Sequence, residues 1–436
     1  MKKSILACAV SAAVLGAMVF AGSGQAAPKE KTKPEAAKPA PSFSWSTVVN
    51  NTDFMPTRGC EVDNTKCRLF NSYNQPSVNV NGLVVIRARS KGGDGGGQPT
   101  HGIYTRDMSG AGNPIVRILD RTIEVPQPNN LGSKFVETPS FPRIDKDSAT
   151  IATRGNHQPV WVYEVRTDPE TGEPLETRAG TTGIYTNPFG DLITGASKLG
   201  AVPGFEFFAV PGLEVPTAFD VFPGAPAVTG GNTIVFKGNF TVDDVGRTGV
   251  FYRELQDAPI VLAEGTELAP AAGISDAVLI ANNVQTVIPG TDPPVVFGST
   301  SPPSAANGKV VFAGFDNEEK PTLGGLYLAP LQPTPDLTTL VGIGGQVPGE
   351  SASDTFNGLG EGGAFDGRFV GFWGAWGEDT KTVRLYCSTE GNKDRIDYCN
   401  RELVCEDTGE TIGDLNSTCE GEGDARRCYQ ERNVPV

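Results

Sequence analysis

The stretch PSVNVNGLVVIRA, residues 76–88, decides the fold, because looser copies of it return through the chain. The copies are PRIDKDSATIATR (142–154), PAVTGGNTIVFKG (226–238), PPSAANGKVVFAG (302–314) and GGAFDGRFVGFWG (362–374). The first residue is proline in every copy but the last: Pro76, Pro142, Pro226 and Pro302 against Gly362. Proline cannot donate to a β ladder, so it stands before a strand and not inside one. A turn former precedes each apolar run: Gly82, Ser148, Asn232, Gly308 and Gly367. The runs are Leu83 to Ile86, Ala149 to Ala152, Thr233 to Phe236, Lys309 to Phe312 and Arg368 to Phe372. Short, β-branched runs bounded by turn formers read as buried strands and are too brief for helices.

Two more elements travel with each copy. Downstream comes a strand ending in an aromatic, with Tyr104, Tyr185, Tyr252, Tyr327 and Tyr386. Upstream comes a strand ending in a proline turn: 46–57, 115–127, 191–204, 259–270 and 337–349. The unit is therefore strand, proline turn, long loop, strand, hairpin, strand. Fixed order with elastic loops is the signature of a repeat architecture. A unit of three or four strands cannot bury both faces alone, and units of this length favour a β-propeller over a solenoid. The expectation is an all-β, five- to six-bladed β-propeller over residues 43–386, followed by a cysteine-rich acidic tail, 387–436. The first strand, Thr47 to Val49, is expected to complete the last blade, whose own copy of the proline-turn strand is not evident.

Residues 1–26 read as a secretory signal peptide: Lys2 and Lys3, an apolar run from Ile5 to Phe20, and Gly24-Gln25-Ala26 before the cut. Residues 27–42 are Pro, Lys and Ala and read as a disordered linker. Nothing else is long and apolar enough to span a bilayer, so the expected location is secreted or periplasmic, with no membrane span after cleavage. Formal net charge is −15. That balance argues against nucleic acid, whose phosphates draw Lys and Arg.

Cysteine usage fits an oxidising compartment. Cys60 and Cys67 flank a short loop and are expected to pair. Cys387, Cys399, Cys405, Cys419 and Cys428 crowd the tail with no C-x-x-C and no nearby histidine, so a disulfide-stapled tail is preferred to a zinc site. Their pairing is open. An odd number leaves one thiol free, paired between chains, or paired beyond the last residue.

The pattern Asn79-x-x-Gly82-x-x-Val85-Ile86 resembles the N-x-x-G-x-x-A-F tandem repeat of bacterial exported proteins. It is similar also to the strand pair of TolB-type propeller repeats. The resemblance covers roughly 46–386 and rests on structural positions. The other copies carry Asp145, Thr229, Ala305 and Ala364 where the first has its Asn. The resemblance implies a propeller-like fold and no particular activity.

Chemistry is thin. His101 and His157 are the only histidines and fall in different repeats. No G-x-S-x-G elbow supports a nucleophile. GGDGGGQ (92–98) lacks the ending of a phosphate loop and reads as a hairpin tip. Asp243-Asp244 and the acidic run from Asp316 to Glu319 read as solvated turns and not as calcium loops. Trp373 reads as core, and Trp376, placed in a turn, as the candidate ligand contact. No catalytic residue, metal ligand or cofactor is assigned. The resulting reading is an exported, non-enzymatic propeller that binds a protein or glycan. The alternatives are a carboxylate-dependent glycan hydrolase or lyase on the same scaffold, and an envelope protein oligomerising through its tail.

Overall fold

The computed structural model describes residues 44–435 apart from 57–66, 93–97, 128, 130–131, 158–160, 168–170, 173, 180–181, 203, 258–275, 378–379, 387–416 and 421–426. The fold is an all-β propeller in which one antiparallel blade recurs. Blade 1 holds β1 (Phe54–Met55), β2 (Arg68–Tyr73), β3 (Ser77–Val78), β4 (Leu83–Ser90), β5 (His101–Asp107) and β6 (Ile115–Asp120). Blade 2 holds β7 (Phe135–Glu137), β8 (Arg143–Ile144), β9 (Ile151–His157), a separate ribbon of β10 (Trp161–Thr167) and β11 (Pro174–Ala179), then β12 (Thr182–Phe189) and β13 (Asp191–Ser197). Blade 3 holds β14 (Phe219–Val221), β15 (Ala227–Thr229), β16 (Thr233–Val242), β17 (Val245–Glu254) and β18 (Val278–Asn282). Blade 4 holds β19 (Ser299–Thr300), β20 (Ser304–Ala306), β21 (Lys309–Phe315), β22 (Gly324–Pro330) and β23 (Thr338–Gly342). Blade 5 holds β24 (Phe356–Phe365) and β25 (Val370–Trp376); β26 (Thr380–Tyr386), β27 (Ser417–Glu420) and β28 (Arg427–Pro435) form a further sheet.

The inner strand of each blade is broken in two. β2 and β3 both pair with β4, β7 and β8 with β9, β14 and β15 with β16, β19 and β20 with β21. In blade 5 the two pieces fuse into the single strand β24, which keeps a register shift between Leu359 and Gly363. Proline explains the break, since Pro76, Pro142, Pro226 and Pro303 interrupt the ladder just before the second piece.

The outer piece carries a phenylalanine that organises the blade. Phe70 meets Tyr104 edge-on at 5.1 Å, Phe135 meets Tyr185 at 4.8 Å, Phe219 meets Phe251 at 5.1 Å and Phe297 meets Tyr327 at 5.3 Å. Each such pair adds about 0.5–1.5 kcal/mol beyond its burial. The ring lies over a glycine in the next strand: Gly155, Gly238, Gly314 and Gly374 in blades 2 to 5. A Cβ on Gly238 would sit 2.5 Å from the Phe219 ring, so no larger residue fits without moving it.

Alternation along the second strand supplies both faces of a blade. Val85 faces forward into a cluster with Phe135, Ile151 and Tyr185 of blade 2. Ala152 and Ile184 pack against Phe219, Phe236 and Phe251 of blade 3. Val235 and Val250 meet Val310, Phe312 and Tyr327 of blade 4, and Val311 and Leu326 meet Phe356 and Leu359 of blade 5. The backward face of blade 1, with Val84, Ile86 and Tyr104, is covered by Met55, Val48 and Val49.

Two sequence expectations change here. Thr47 to Val49 does not complete the last blade. It lies on blade 1, where Arg106 Nη1 donates to the Val48 carbonyl at 2.7 Å. The partner of β26 is β28, with Tyr386 opposite Tyr429. In blade 3 the proline-turn strand is VLIANNVQTVIPG (278–290), not 259–270, because β18 pairs with β17 and Val287 bridges Val296. Residues 259–270 lie outside the described residues, as do the signal peptide and the linker.

Candidate functional site: the axial cavity

The inner pieces β3, β8, β15, β20 and the end of β24 stand side by side around a cavity of about 530 Å³. Register defines one equivalent position in each. Ser77 pairs with Val85, Arg143 with Ala152, Ala227 with Val235, Ser304 with Val311 and Ala364 with Gly371. All five line the cavity. Four of them are small, which keeps the axis open, and the fifth is an arginine.

The rim is held by the turns that follow. Gly82, Gly308 and Gly367 take φ of 82°, 68° and 92°, the left-handed region that a tight turn needs. In the third blade the turn is made with Gly230 and Gly231 at positive φ in place of Asn232, and in the second by Asp145 accepting from the Asp147 and Ser148 N–H groups. Asn79 Oδ1 accepts from the Leu83 N–H at 3.0 Å, and its Nδ2 donates to the Ser148 carbonyl at 2.8 Å. Asp145 accepts from Asp147 and Ser148 with Oδ1 and from Gly231 with Oδ2. Thr229 Oγ1 accepts from Gly308 N–H at 3.4 Å, and Ser304 Oγ from Phe365 N–H at 3.0 Å. Neighbouring blades are thus joined at the rim by side chains that also shape the turns. In blade 5 that turn residue is Asp366, not Ala364: Asp366 Oδ1 accepts from the Arg368 and Phe369 N–H groups.

Charge is unevenly engaged. Arg87 and Arg154 occupy equivalent places on β4 and β9, facing Ile103 and Ile184 across the sheet. Each reaches over to the next blade. Arg87 Nε donates to the Thr138 carbonyl, and Arg154 Nη1 donates to the Phe222 carbonyl at 2.6 Å. Lys237 holds the same place in blade 3; burial lowers its pKa, and Glu361 and Glu318 pull it back up. Arg143 differs. Burial alone lowers its pKa, and no acid among the described residues opposes it. Beside it at the mouth, Lys146 faces Asp366, whose pKa is lowered first by the backbone donors and further by Arg368 and Lys146.

The walls are apolar. Val78 and Val80 are each 64% exposed toward this space, and Phe365 and Phe369 complete the side contributed by blade 5. Gly371 and Trp373 alternate along the forward face of β25, with Phe369 just before its first residue. Trp373, expected in the core, is 60% exposed, because no blade among the described residues covers that face. Trp376 ends β25 rather than sitting in a turn, on the opposite face from Trp373, and packs edge-on against Phe356 at 6.3 Å.

The remaining candidates lie elsewhere. His157 is buried near Tyr185, and neither it nor His101 lines the cavity. Asp243 and Asp244 form the hairpin turn between β16 and β17, with φ of 51° and 59°. Asp316 is engaged by Thr322 and Leu323 within its own loop. Among the described residues no group of three His, Cys, Asp or Glu side chains could hold a metal ion, and no helix is long and apolar enough to cross a membrane. Cys67 is disulfide-bonded, while Cys60, Cys387, Cys399 and Cys405 lie outside the described residues. Cys419 stands opposite Cys428 in the register of β27 and β28. Arg143 was missed by sequence reasoning. Its signal was available as the one charged residue in the second column of the aligned Pro76, Pro142 and Pro226 copies.

No protein-family model matches the chain, and no curated protein matches it. Among solved structures it is similar to Trypanosoma rangeli sialidase at 13% identity, with a TM-score of 0.31 over 67% of this chain and 41% of that one. The chain thus spans about two fifths of the sialidase's length, and the likeness carries no argument about activity.

Proposed function

We propose that the chain is an exported, non-enzymatic propeller that binds a ligand in its axial cavity. One observation carries the reading: the ring of small residues formed by Ser77, Ala227, Ser304 and Ala364 leaves space at the axis, and Arg143 projects its uncompensated charge among them. A cavity of a few hundred cubic ångströms, mostly apolar with a few polar groups, is the usual form of a small-molecule site.

Glycan hydrolysis on the same scaffold has weaker support. A two-carboxylate mechanism needs a pair of acids roughly 5–9.5 Å apart. The cavity lining offers one, Asp366, and its Oδ1 is engaged by two backbone donors. In this reading Trp376 stays a candidate outer contact, but Trp373 is the better one, since it shares a strand face with Gly371 of the cavity wall.

The test uses the purified chain on glycan and peptide arrays, scoring turnover as well as retention, beside an Ala364→Phe variant that fills the cavity. Retention without turnover, lost in the variant, is the expected outcome. Turnover by the parent chain, or retention that survives Ala364→Phe, overturns the proposal.

A further inference from the structure

We propose that the axial cavity takes a monocarboxylate with an apolar body, its carboxylate held by Arg143. This rests on the axial cavity being the binding site, and it adds the chemistry of the occupant.

The donors at the level of Arg143 all point to an acceptor. Ser77 Oγ accepts from the Ile144 N–H at 3.3 Å, and Ser304 Oγ accepts from the Phe365 N–H. With an acceptor site filled by the backbone, each hydroxyl still has its hydrogen to donate. Ser77 and Ser304 are register equivalents of Arg143, so one guanidinium and two hydroxyls share one rung of the axis. Ala227 and Ala364 fill the rest of that rung and offer no side-chain acceptor.

The charge balance selects a single negative charge. Among the residues that line the cavity the charges are Arg143, Lys146 and Asp366, and Lys146 and Asp366 oppose each other at the mouth. Arg143 remains as the net charge of that lining. Its relatives Arg87 and Arg154 show what a structural arginine does in this fold: each donates to a main-chain carbonyl of the next blade. Arg143 has no such carbonyl. Arg143 is half-buried with no counter-charge among the described residues, and a carboxylate meeting its planar fork supplies one. A phosphate dianion would bring one charge more than the site balances. The chain is acidic overall, at −15, so non-specific adsorption of anions elsewhere is weak.

The body of the ligand follows from the walls. Val78, Val80, Phe365 and Phe369 present apolar surface, and the Arg368 guanidinium already stacks over the Phe369 ring at 4.4 Å. An aromatic or branched aliphatic group is better matched to that surface than a polyhydroxylated ring.

The experiment is calorimetric titration of the full chain with phenylacetate and with phenylacetamide, which share a shape and differ in charge. Glucuronate and glucose form the second pair. Phenylacetate is expected to bind at least 10-fold more tightly than the amide, and Arg143→Gln is expected to erase that preference. Ala364→Phe is expected to stop binding of every probe, with Ala227→Leu as its stand-in should it fail to fold. Matched melting temperatures for parent and variants confirm that each comparison is made on folded protein. Equal binding of acid and amide, or a preference that survives Arg143→Gln, overturns the carboxylate assignment and leaves the cavity reading intact. Binding that survives both filled variants overturns the cavity reading itself. Binding of glucuronate but not phenylacetate overturns the apolar body in favour of a sugar acid. Binding of no acid at millimolar concentration overturns the proposal outright.

Discussion

The seams between blades and the cavity at the axis are built from the same strands, yet they treat polar groups in opposite ways. At the seams Arg87 donates to Thr138 and Arg154 to Phe222, and the turn residues Asn79 and Asp145 bond to the following blade. At the axis Arg143 is as desolvated as its neighbours and is met by nothing. Arg87 and Arg154 are engaged by the blade that follows, and Arg143 is open to the cavity that it lines. Under the proposed function, the difference separates residues that hold the blades together from one that meets the ligand.

The contrast is a ranking of substitutions by their effect on stability. Phe219→Ala breaks the centre of a seam, where the ring touches Phe222, Phe236 and Phe251. It is expected to cost about 3–5 kcal/mol in urea unfolding. A loss below about 1 kcal/mol would mean the seam can close over the gap. Next comes Asp145→Ala. It strands the N–H groups of Asp147, Ser148 and Gly231, with an expected loss of about 2 kcal/mol. Arg154→Met removes one donor from the Phe222 carbonyl and is expected to cost about 1–2 kcal/mol by the same measurement.

A titration sharpens the same divide. His101 is pushed down to about 4, chiefly by burial, with Arg87, Arg121 and Arg89 adding to the push and Glu137 opposing it. The unfolded chain takes its proton near the ordinary value of about 6.5. Stability is therefore full above that value and is lost as pH falls toward 4. Melting temperatures of parent and His101→Asn followed over that range should show the parent losing more. Parallel curves would remove His101 from the acid response.

The smallest effect is expected at Arg143. Arg143→Met removes a half-buried charge that has no partner among the described residues, so stability should change by less than about 0.5 kcal/mol or rise slightly. A clear fall would reveal a structural partner and erase the contrast between axis and seam.

The sequence made the second and third strands of each blade legible, because Gly82, Gly308 and Gly367 sit directly beside the apolar runs they introduce. The phenylalanines of the inner strands were not. Phe70, Phe135, Phe219, Phe297 and Phe356 stand alone in polar or proline-rich surroundings at variable distances from the preceding proline turn. A period of two needs several alternations before it shows, and these pieces are only two to ten residues long. The segment 259–270 misled for the opposite reason. It has the composition of a proline-turn strand, and only pairing with β17 shows that 278–290 fills that role. Arg143 was legible in one respect, as a charge in a column of small residues. Nothing local said that its column faces the axis; that follows from register, which is set by pairing over long sequence separations.

Blade 5 carries Gly371 where the other blades place Val85, Ala152, Val235 and Val311. The rim hydrogen bonds run from blade 1 through to blade 5, and none among the described residues returns from blade 5 to blade 1. Four side-chain joints tie the rim among the described residues, so forced widening of the ring is expected to begin between blades 5 and 1.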